Sequence, residues 1–331
     1  MMMITYPLHL LYKGITSFRN YLFDKEILKE YVPEVFTLGV GNLTVGGTGK
    51  TPMVNYLIRL LNDRHIGVIS RGYGRKTRGF LPLTEDSTPE TVGDEPLMMA
   101  RSNPGTRFFV SEDRVKGYEL ALKDDPGIDT FIFDDVFQHR YLKPHLRILL
   151  SDYQRPFYQD HVMPYGRLRE NRRGAARADV IIVTKCPENL EEQEKQAITR
   201  RIQAYSRPET PVFFAVYFPE QPVNERQQAL PYGEEVVLVS ALANNRQFYD
   251  QQSKNYTIKE HFAFRDHFRI PPEKIREILA LRRPVITTGK DMIKIRELLS
   301  PGDLPHFYVP EITVKMEDYF SNYIRRRMGF V

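Results

Sequence analysis

Short apolar runs alternate with amphipathic stretches along most of the chain. Residues 35–40, 66–70, 108–111, 131–134, 146–150 and 180–184 read as strands. Several of these runs are apolar throughout and do not alternate with polar residues, as expected for strands covered on both faces. Residues 53–62, 96–101, 114–123 and 190–205 read as helices between them. Alternation of this kind predicts an α/β domain with a mainly parallel sheet and helices on both faces. Ligands of such sheets gather at the carboxyl ends of the strands, so polar residues just past each run carry extra weight.

The pattern changes near Arg207-Pro208. Residues 212–218 read as a strand leading out to a smaller second α/β unit with strands at 236–240 and 285–288 and helices at 273–281 and 291–299. Residues 307–309 and 312–315 are expected to pair with the outgoing strand as the chain returns, and 316–328 read as a helix. The expected division is a core at 1–207, a second α/β unit at 208–305 and a return to the core at 306–331. The loop at 72–93 is long and polar, and such loops are usually functional or mobile. At the N-terminus, Leu8, Leu11, Ile15, Phe18 and Leu22 recur at helical steps, with Lys13, Arg19 and Lys25 outside the stripe. A basic amphipathic helix lies in a membrane interface or packs on a core, and the pattern leaves both open.

Composition narrows the picture. The 331 residues carry a formal charge of +5, which suits an anionic partner such as a nucleotide, a phospholipid surface or a nucleic acid. Cys186 is the only cysteine, so an internal disulfide and a cysteine-rich metal site are both excluded. No apolar run approaches the length of a membrane span. Lys13 and Arg19 interrupt the N-terminal apolar stretch, which argues against a secretion signal.

The most informative segment runs from Val40 through Gly46-Gly47-Thr48-Gly49-Lys50-Thr51. A strand precedes it and a helix follows, the arrangement of a nucleotide-triphosphate cradle. Glycines let backbone N–H groups converge on phosphate oxygens, and the helix start adds partial positive charge. Lys50 would reach the β- and γ-phosphates and Thr51 would hold Mg²⁺. The strict motif has Gly six positions before the lysine, where this chain has Thr44.

Other strand ends carry matching chemistry. Phe131-Ile132-Phe133 ends in Asp134-Asp135, the position at which such proteins hold the metal, with Gln138 and His139 close behind. In Gly93-Asp94-Glu95-Pro96, Asp94 is either a helix cap or the acceptor for an attacking hydroxyl. The segment Ser70-Arg71-Gly72-Tyr73-Gly74-Arg75 and the basic run from Tyr165 to Arg173 suit an anionic or sugar-bearing ligand. Thr184-Lys185-Cys186-Pro187 lacks the aspartate of a guanine reader.

Jointly, and in this order, the segment Val40 to Pro52, Ser70-Arg71-Gly72-Tyr73-Gly74, Val92-Gly93-Asp94-Glu95-Pro96, Asp134-Asp135-Val136-Phe137-Gln138-His139, Gly166-Arg167-Leu168-Arg169-Glu170 and Asp266-His267 resemble the tetraacyldisaccharide 4′-kinases of lipid A synthesis. Thr44 matches that family's own loop, whereas 241–248 departs from it, leaving Asn244 and Arg246 without a role. The resemblance implies a P-loop kinase that transfers phosphate from ATP, with Mg²⁺, to an acylated glucosamine disaccharide 1-phosphate. It also implies a peripheral enzyme on the cytoplasmic face of a Gram-negative inner membrane, and it favours the docking reading of the first helix. Asp94 and His267 would form the catalytic pair, helped by Lys50 and Arg169. Gly46, Gly47, Thr48, Gly49, Lys50, Thr51 and Gln138 would hold the nucleotide. Asn42, Tyr73, Arg114, His139 and Arg167 would contact the lipid substrate, and Thr51, Asp134, Asp135 and Glu95 would hold the metal. A monomer is expected, with no nucleic-acid partner. The competing reading is a regulatory or metallochaperone-type P-loop NTPase, which needs Lys50, Thr51 and Asp134 but neither Asp94 nor His267.

Overall fold

The structure, a computed structural model, describes residues 2–266 and 268–329. Helix α1 (Met2–Asp24) precedes strand β1 (Phe36–Asn42), helix α2 (Lys50–Leu60), and strands β2 (Ile66–Ser70) and β3 (Leu81–Pro82). Then come α3 (Pro89–Val92), α4 (Asp94–Ser102), β4 (Arg107–Val110), α5 (Arg114–Asp124), β5 (Thr130–Asp134), β6 (Leu146–Asp152), β7 (Val180–Thr184), α6 (Glu192–Gln203) and β8 (Val212–Pro219). A second group holds β9 (Glu235–Ala241), α7 (Asn245–Gln252), β10 (Thr257–Phe264), α8 (Pro272–Ala280), β11 (Val285–Thr287), α9 (Gly289–Ile295) and β12 (Phe307–Tyr308). Strand β13 (Ile312–Met316) and helix α10 (Tyr319–Arg327) close the described chain.

The main sheet has nine strands in the order β13-β8-β7-β6-β1-β5-β2-β4-β3. Its central strands are parallel, and β3 and β13 are antiparallel edges. The apolar runs are buried on both faces by the two-residue period of a strand. Ile148 and Leu150 join α2 and α10 on one face, while Leu149 joins Ile198 and Ile202 of α6 on the other. The sheet order reverses around β1, which lies between β5 and β6, and so opens a crevice at the carboxyl ends.

The second sheet is parallel, in the order β10-β9-β11-β12. It corrects one sequence expectation. Phe307 is 1% exposed, packs with Val237 and Val285, and pairs with Val285, so β12 belongs to this sheet and not beside β8. The other expected return strand does lie along β8, antiparallel, with Ile312 opposite Pro219.

Helix α1 is built against the usual logic. Its contacts with the body are largely polar: His9 Nδ1 lies 2.7 Å from the Val162 carbonyl, Tyr12 donates to the Arg169 carbonyl, and Asn20 donates to Glu170 Oε2. Phe23 is the buried apolar anchor. Leu8, Leu11, Ile15 and Phe18 are each more than half exposed, and Leu22 is half-buried.

Candidate active site

Strand β1 ends at Asn42, and the chain turns through residues 43–49 into α2. Gly46 and Gly49 adopt φ values of 107° and 84°, a region that glycine occupies without steric cost. Gly49 at the cap of α2 has no side chain to offer, which leaves the first N–H groups and positive end of the helix directed at the loop. Thr44 forms an antiparallel bridge with Leu168. Val45 N–H donates to the Arg167 carbonyl, and Arg169 N–H to that of Leu43. The position where the strict motif has glycine therefore splices the basic segment 166–170 onto the loop.

The underside of the loop is braced. Asn42 Nδ2 donates to Thr48 Oγ1 at 2.7 Å, Thr184 Oγ1 to the Thr48 carbonyl at 2.9 Å, and the Tyr217 hydroxyl to the Gly49 carbonyl at 3.0 Å. The Lys185 ammonium donates to the Gly47 carbonyl and to Asp152. Thr184 and Lys185, which do not form a guanine reader, hold the loop from below. Asp152, Thr184, Lys185 and Tyr217 escaped the sequence reading of the site. The Thr184-Lys185 pair at a strand end was the available signal.

Beside the loop, Asp134 ends β5 and is 2% exposed. Its Oδ2 accepts from Ser70 Oγ at 3.0 Å, and its Oδ1 is buried with no hydrogen-bond partner among the described residues. Burial pushes this carboxyl up to about 6, against the pull of Lys50 and with reinforcement from Asp135 and Glu95. Asp135 takes φ 49° and turns outward to an ion pair with Lys50 Nζ at 3.4 Å, while Arg169 Nη1 reaches both its oxygens at 2.9 and 2.8 Å. Burial works to raise the Asp135 carboxyl, but the two cations outweigh it and hold it below the usual range.

A second glycine shapes the approach. A Cβ on Gly41 would lie 2.6 Å from Phe137 Cβ, so only a bare strand lets the segment after β5 cross so closely. That crossing sets Gln138 Nε2 on the Asn42 carbonyl at 2.8 Å and on Glu170 Oε1 at 3.1 Å. It also places His139 near Arg114. Burial, then the Arg114 charge, pushes the imidazole down to about 4, which makes it neutral at neutral pH. Arg114 opens α5 and is 2% exposed, donating to the carbonyls of Ser111 and Asp134. Its burial pushes the guanidinium down to about 10. Arg114 and Asn42 thus lie beneath the site surface, whereas Tyr73 and Arg167 stand exposed at its rim. A groove of about 770 Å³ beside His139 is lined by Lys29, Tyr31, Asp113 and Tyr141 among others.

The cap position of α4 is Gly93, so Asp94 opens the helix at its first position and is not its cap residue. Asp94 Oδ2 instead meets Lys294 Nζ at 2.7 Å. Glu95 is exposed and close enough to Asp134 to raise its carboxyl. His267 lies outside the described residues. Asn244 caps α7, and Arg246 pairs with Asp250 at the surface.

The donor set fits Mg²⁺. The unpaired Asp134 Oδ1 is a hard oxygen ligand, and Thr51 in the first turn of α2 supplies a hydroxyl. Among the described residues no group of three or more His, Cys, Asp or Glu forms a metal cage. That suits an ion completing its shell with phosphate and water.

A family model described as "LpxK: Tetraacyldisaccharide-1-P 4'-kinase" matches residues 1–329. A tetraacyldisaccharide 4'-kinase of Bacteroides thetaiotaomicron is 35% identical, covering 98% of this chain and 92% of that protein. One from Cytophaga hutchinsonii is 38% identical, covering 92% and 89% respectively. The crystal structure of LpxK from Aquifex aeolicus in complex with ATP superposes with a TM-score of 0.81 at 32% identity, over 98% of each chain. The chain belongs to the tetraacyldisaccharide-1-phosphate 4'-kinase family.

Proposed function

We propose that the protein transfers the γ-phosphate of ATP to the 4′-hydroxyl of a tetraacyldisaccharide 1-phosphate in lipid A biosynthesis, giving lipid IVA and ADP. The observation that carries this reading is the phosphate loop opening onto the Lys50–Asp135–Arg169 cluster, in a chain that matches the kinase family from end to end. The regulatory NTPase reading is not favoured, because the family match spans the whole kinase.

Phosphoryl transfer depends on positioning and on electrostatic stabilisation of a spreading negative charge. The amides of residues 46–51 and the α2 N-terminus take the phosphates. Lys50 and Arg169 supply the cationic side chains, held in register by Asp135. Gln138 links the end of β1 to Arg169 and Glu170, which fixes the rim. Asp94 accepts the hydroxyl proton as the acceptor attacks, and His267 orients it. When bound, Mg²⁺ neutralises phosphate charge, and Asp134, Asp135 and Thr51, with Glu95 nearby, would hold it. Neutral His139, with Tyr73, Arg167, Asn42 and Arg114 shaping the rim and its support, seats the disaccharide in the adjoining groove.

The acyl chains keep the substrate in a bilayer, since each buried methylene contributes about 0.8 kcal/mol. The enzyme must therefore meet it there. Among the described residues no helix is long and apolar enough to cross a membrane. The exposed stripe of α1 suits insertion into one leaflet, with its polar side on the body. This gives a peripheral monomer on the cytoplasmic face of a Gram-negative inner membrane. The second unit, which runs from the end of β8 through β12 rather than over 208–305, closes on the core, and β13 and α10 return to the core.

The test is transfer of label from γ-labelled ATP to a tetraacyldisaccharide 1-phosphate in mixed micelles. The expected product carries one added phosphate at the 4′-position. Failure to label the lipid, with ATP hydrolysis intact, would overturn the reading in favour of an NTPase.

A further inference from the structure

Helix α9 joins the second sheet to the candidate acceptor. Its start is fixed to that sheet: Thr288 Oγ1 caps Asp291 N–H, and buried Asp291 accepts from Ala241 N–H at the end of β9. Its side packs on α4, where a Cβ on Gly289 would lie 2.9 Å from Met98 Sδ. Ile293 is buried with Val92, Leu97 and Val110 of the main unit. From this rigid seat Lys294 reaches Asp94 Oδ2 at 2.7 Å, with the two side chains only 17% and 16% exposed. One turn earlier, Lys290 lies 3.6 Å from Asp266 Oδ1, in the residue that precedes His267 in sequence.

Such a pair is a poor device for stability alone. Two charges drawn from water regain little over an apolar pair of the same volume, and the α4–α9 junction already has apolar packing through Leu97, Met98 and Ile293. Its distinctive effect is geometric, because a carboxylate gripped on one oxygen by a group from another element has its orientation set by that element. We infer that Lys294 is a positioning residue for phosphotransfer: it orients Asp94 across the α4–α9 junction, so that turnover depends on how the second unit is seated. This rests on the reading of Asp94 as the hydroxyl acceptor.

The experiment is steady-state kinetics on the full chain with ATP and tetraacyldisaccharide 1-phosphate in mixed micelles, comparing K294Q, K294R, D94N and the double variant D94N/K294Q. Removing an acid–base group outright costs about 10²–10⁴ in rate, so displacing one is expected to cost K294Q about 10- to 100-fold in kcat. KM for ATP and for lipid should stay within about twofold, the mark of an interaction realised in the transition state. K294R should fall between K294Q and wild type, since a guanidinium does not reproduce a single-point contact. In the D94N background K294Q should cost less than about threefold more, because residues acting as a unit are non-additive. A kcat for K294Q within twofold of wild type overturns the inference, as does full multiplication of the two losses. If K294Q does not melt cooperatively, K294R decides: unchanged kcat overturns the inference, and a several-fold loss at constant KM supports it. Wild-type turnover in D94N would instead remove the role of Asp94, a separate failure.

Discussion

Asp135 holds two cations that would otherwise repel each other beside an anion site. Lys50 and Arg169 both close on its carboxylate, and its left-handed backbone turns it away from buried Asp134. Removing Lys50 therefore takes a positive group from the phosphate site and leaves Asp135 with Arg169 alone. K50A should lower kcat/KM by about 10²–10³-fold, on the scale of losing one preorganised donor, and steady-state kinetics measures it. At His139 the shift concerns stability. The half-buried ring is pushed down to about 4, below the ordinary 6.5, so the unfolded chain takes up the proton first as pH falls. The stability contributed by the neutral ring is complete above pH 6.5 and is lost as pH falls towards 4. The melting-temperature advantage of wild type over H139Q should therefore shrink between pH 7.5 and 5. Subtracting the variant cancels His145 and His261, which shift in the same direction. Lys50 and the paired aspartates were legible because each lies in a short contiguous motif at the end of an apolar run. Tyr217 was not, because it meets Gly49 from 168 residues away, and a lone tyrosine in a strand carries no local sign of that partner.

Elements with two covered faces were the easiest to read. Strands β1, β2, β5, β6 and β7 are nearly wholly buried, and each showed as an apolar run. Strand β10 did not, because it is an edge with no fully buried residue and carries Lys259, Glu260 and His261. Helix α1 was legible as amphipathic but ambiguous in direction, since periodicity reports a stripe and not what covers it. The structure turns that stripe outward. Replacing Leu11, Ile15 and Phe18 together with Gln should thus cut co-sedimentation with anionic vesicles while leaving the melting temperature within about 2 °C of wild type, as surface changes do. A large loss of melting temperature would mean the stripe supports the fold. The loop entering α2 has no such tolerance. G49A adds a Cβ 2.3 Å from Tyr217 Cε2 at a backbone φ of 84°. It should destabilise by more than about 1 kcal/mol, lowering the melting temperature by at least about 2 °C, and weaken ATP binding. Calorimetry and nucleotide titration read the two effects separately.

At the scale of the whole molecule, the chain leaves the main sheet by β8 and returns by β13, and these are antiparallel neighbours. Pairing continues past the named strands, with Glu220 N–H donating to the Glu311 carbonyl. The second sheet is therefore inserted between two strands that already form a hairpin. The return is not optional: Phe320 and Ile324 of α10 are fully buried, and Phe320 meets Phe213 edge-on at 4.9 Å. Replacing residues 221–310 by Asn-Gly would join Glu220 to Glu311 through a two-residue turn whose twist suits a hairpin. The shortened chain retains β1–β8, β13, α2 and α10, together with the full phosphate loop. It loses the cover of Ile293 over Val92, Leu97 and Val110, a loss of about 1.5–3 kcal/mol for one such side chain. That is small beside a core running through the whole main sheet. It should fold cooperatively and bind ATP within about tenfold of the parent, an affinity change of about 1.4 kcal/mol. Transfer to lipid should be abolished, because Lys294 and the segment bearing His267 are gone. Calorimetry, nucleotide titration and the lipid assay test the three parts in turn. A chain that binds no ATP would show that the second sheet shapes the phosphate loop, and one that still phosphorylates lipid would remove the second unit from the chemistry.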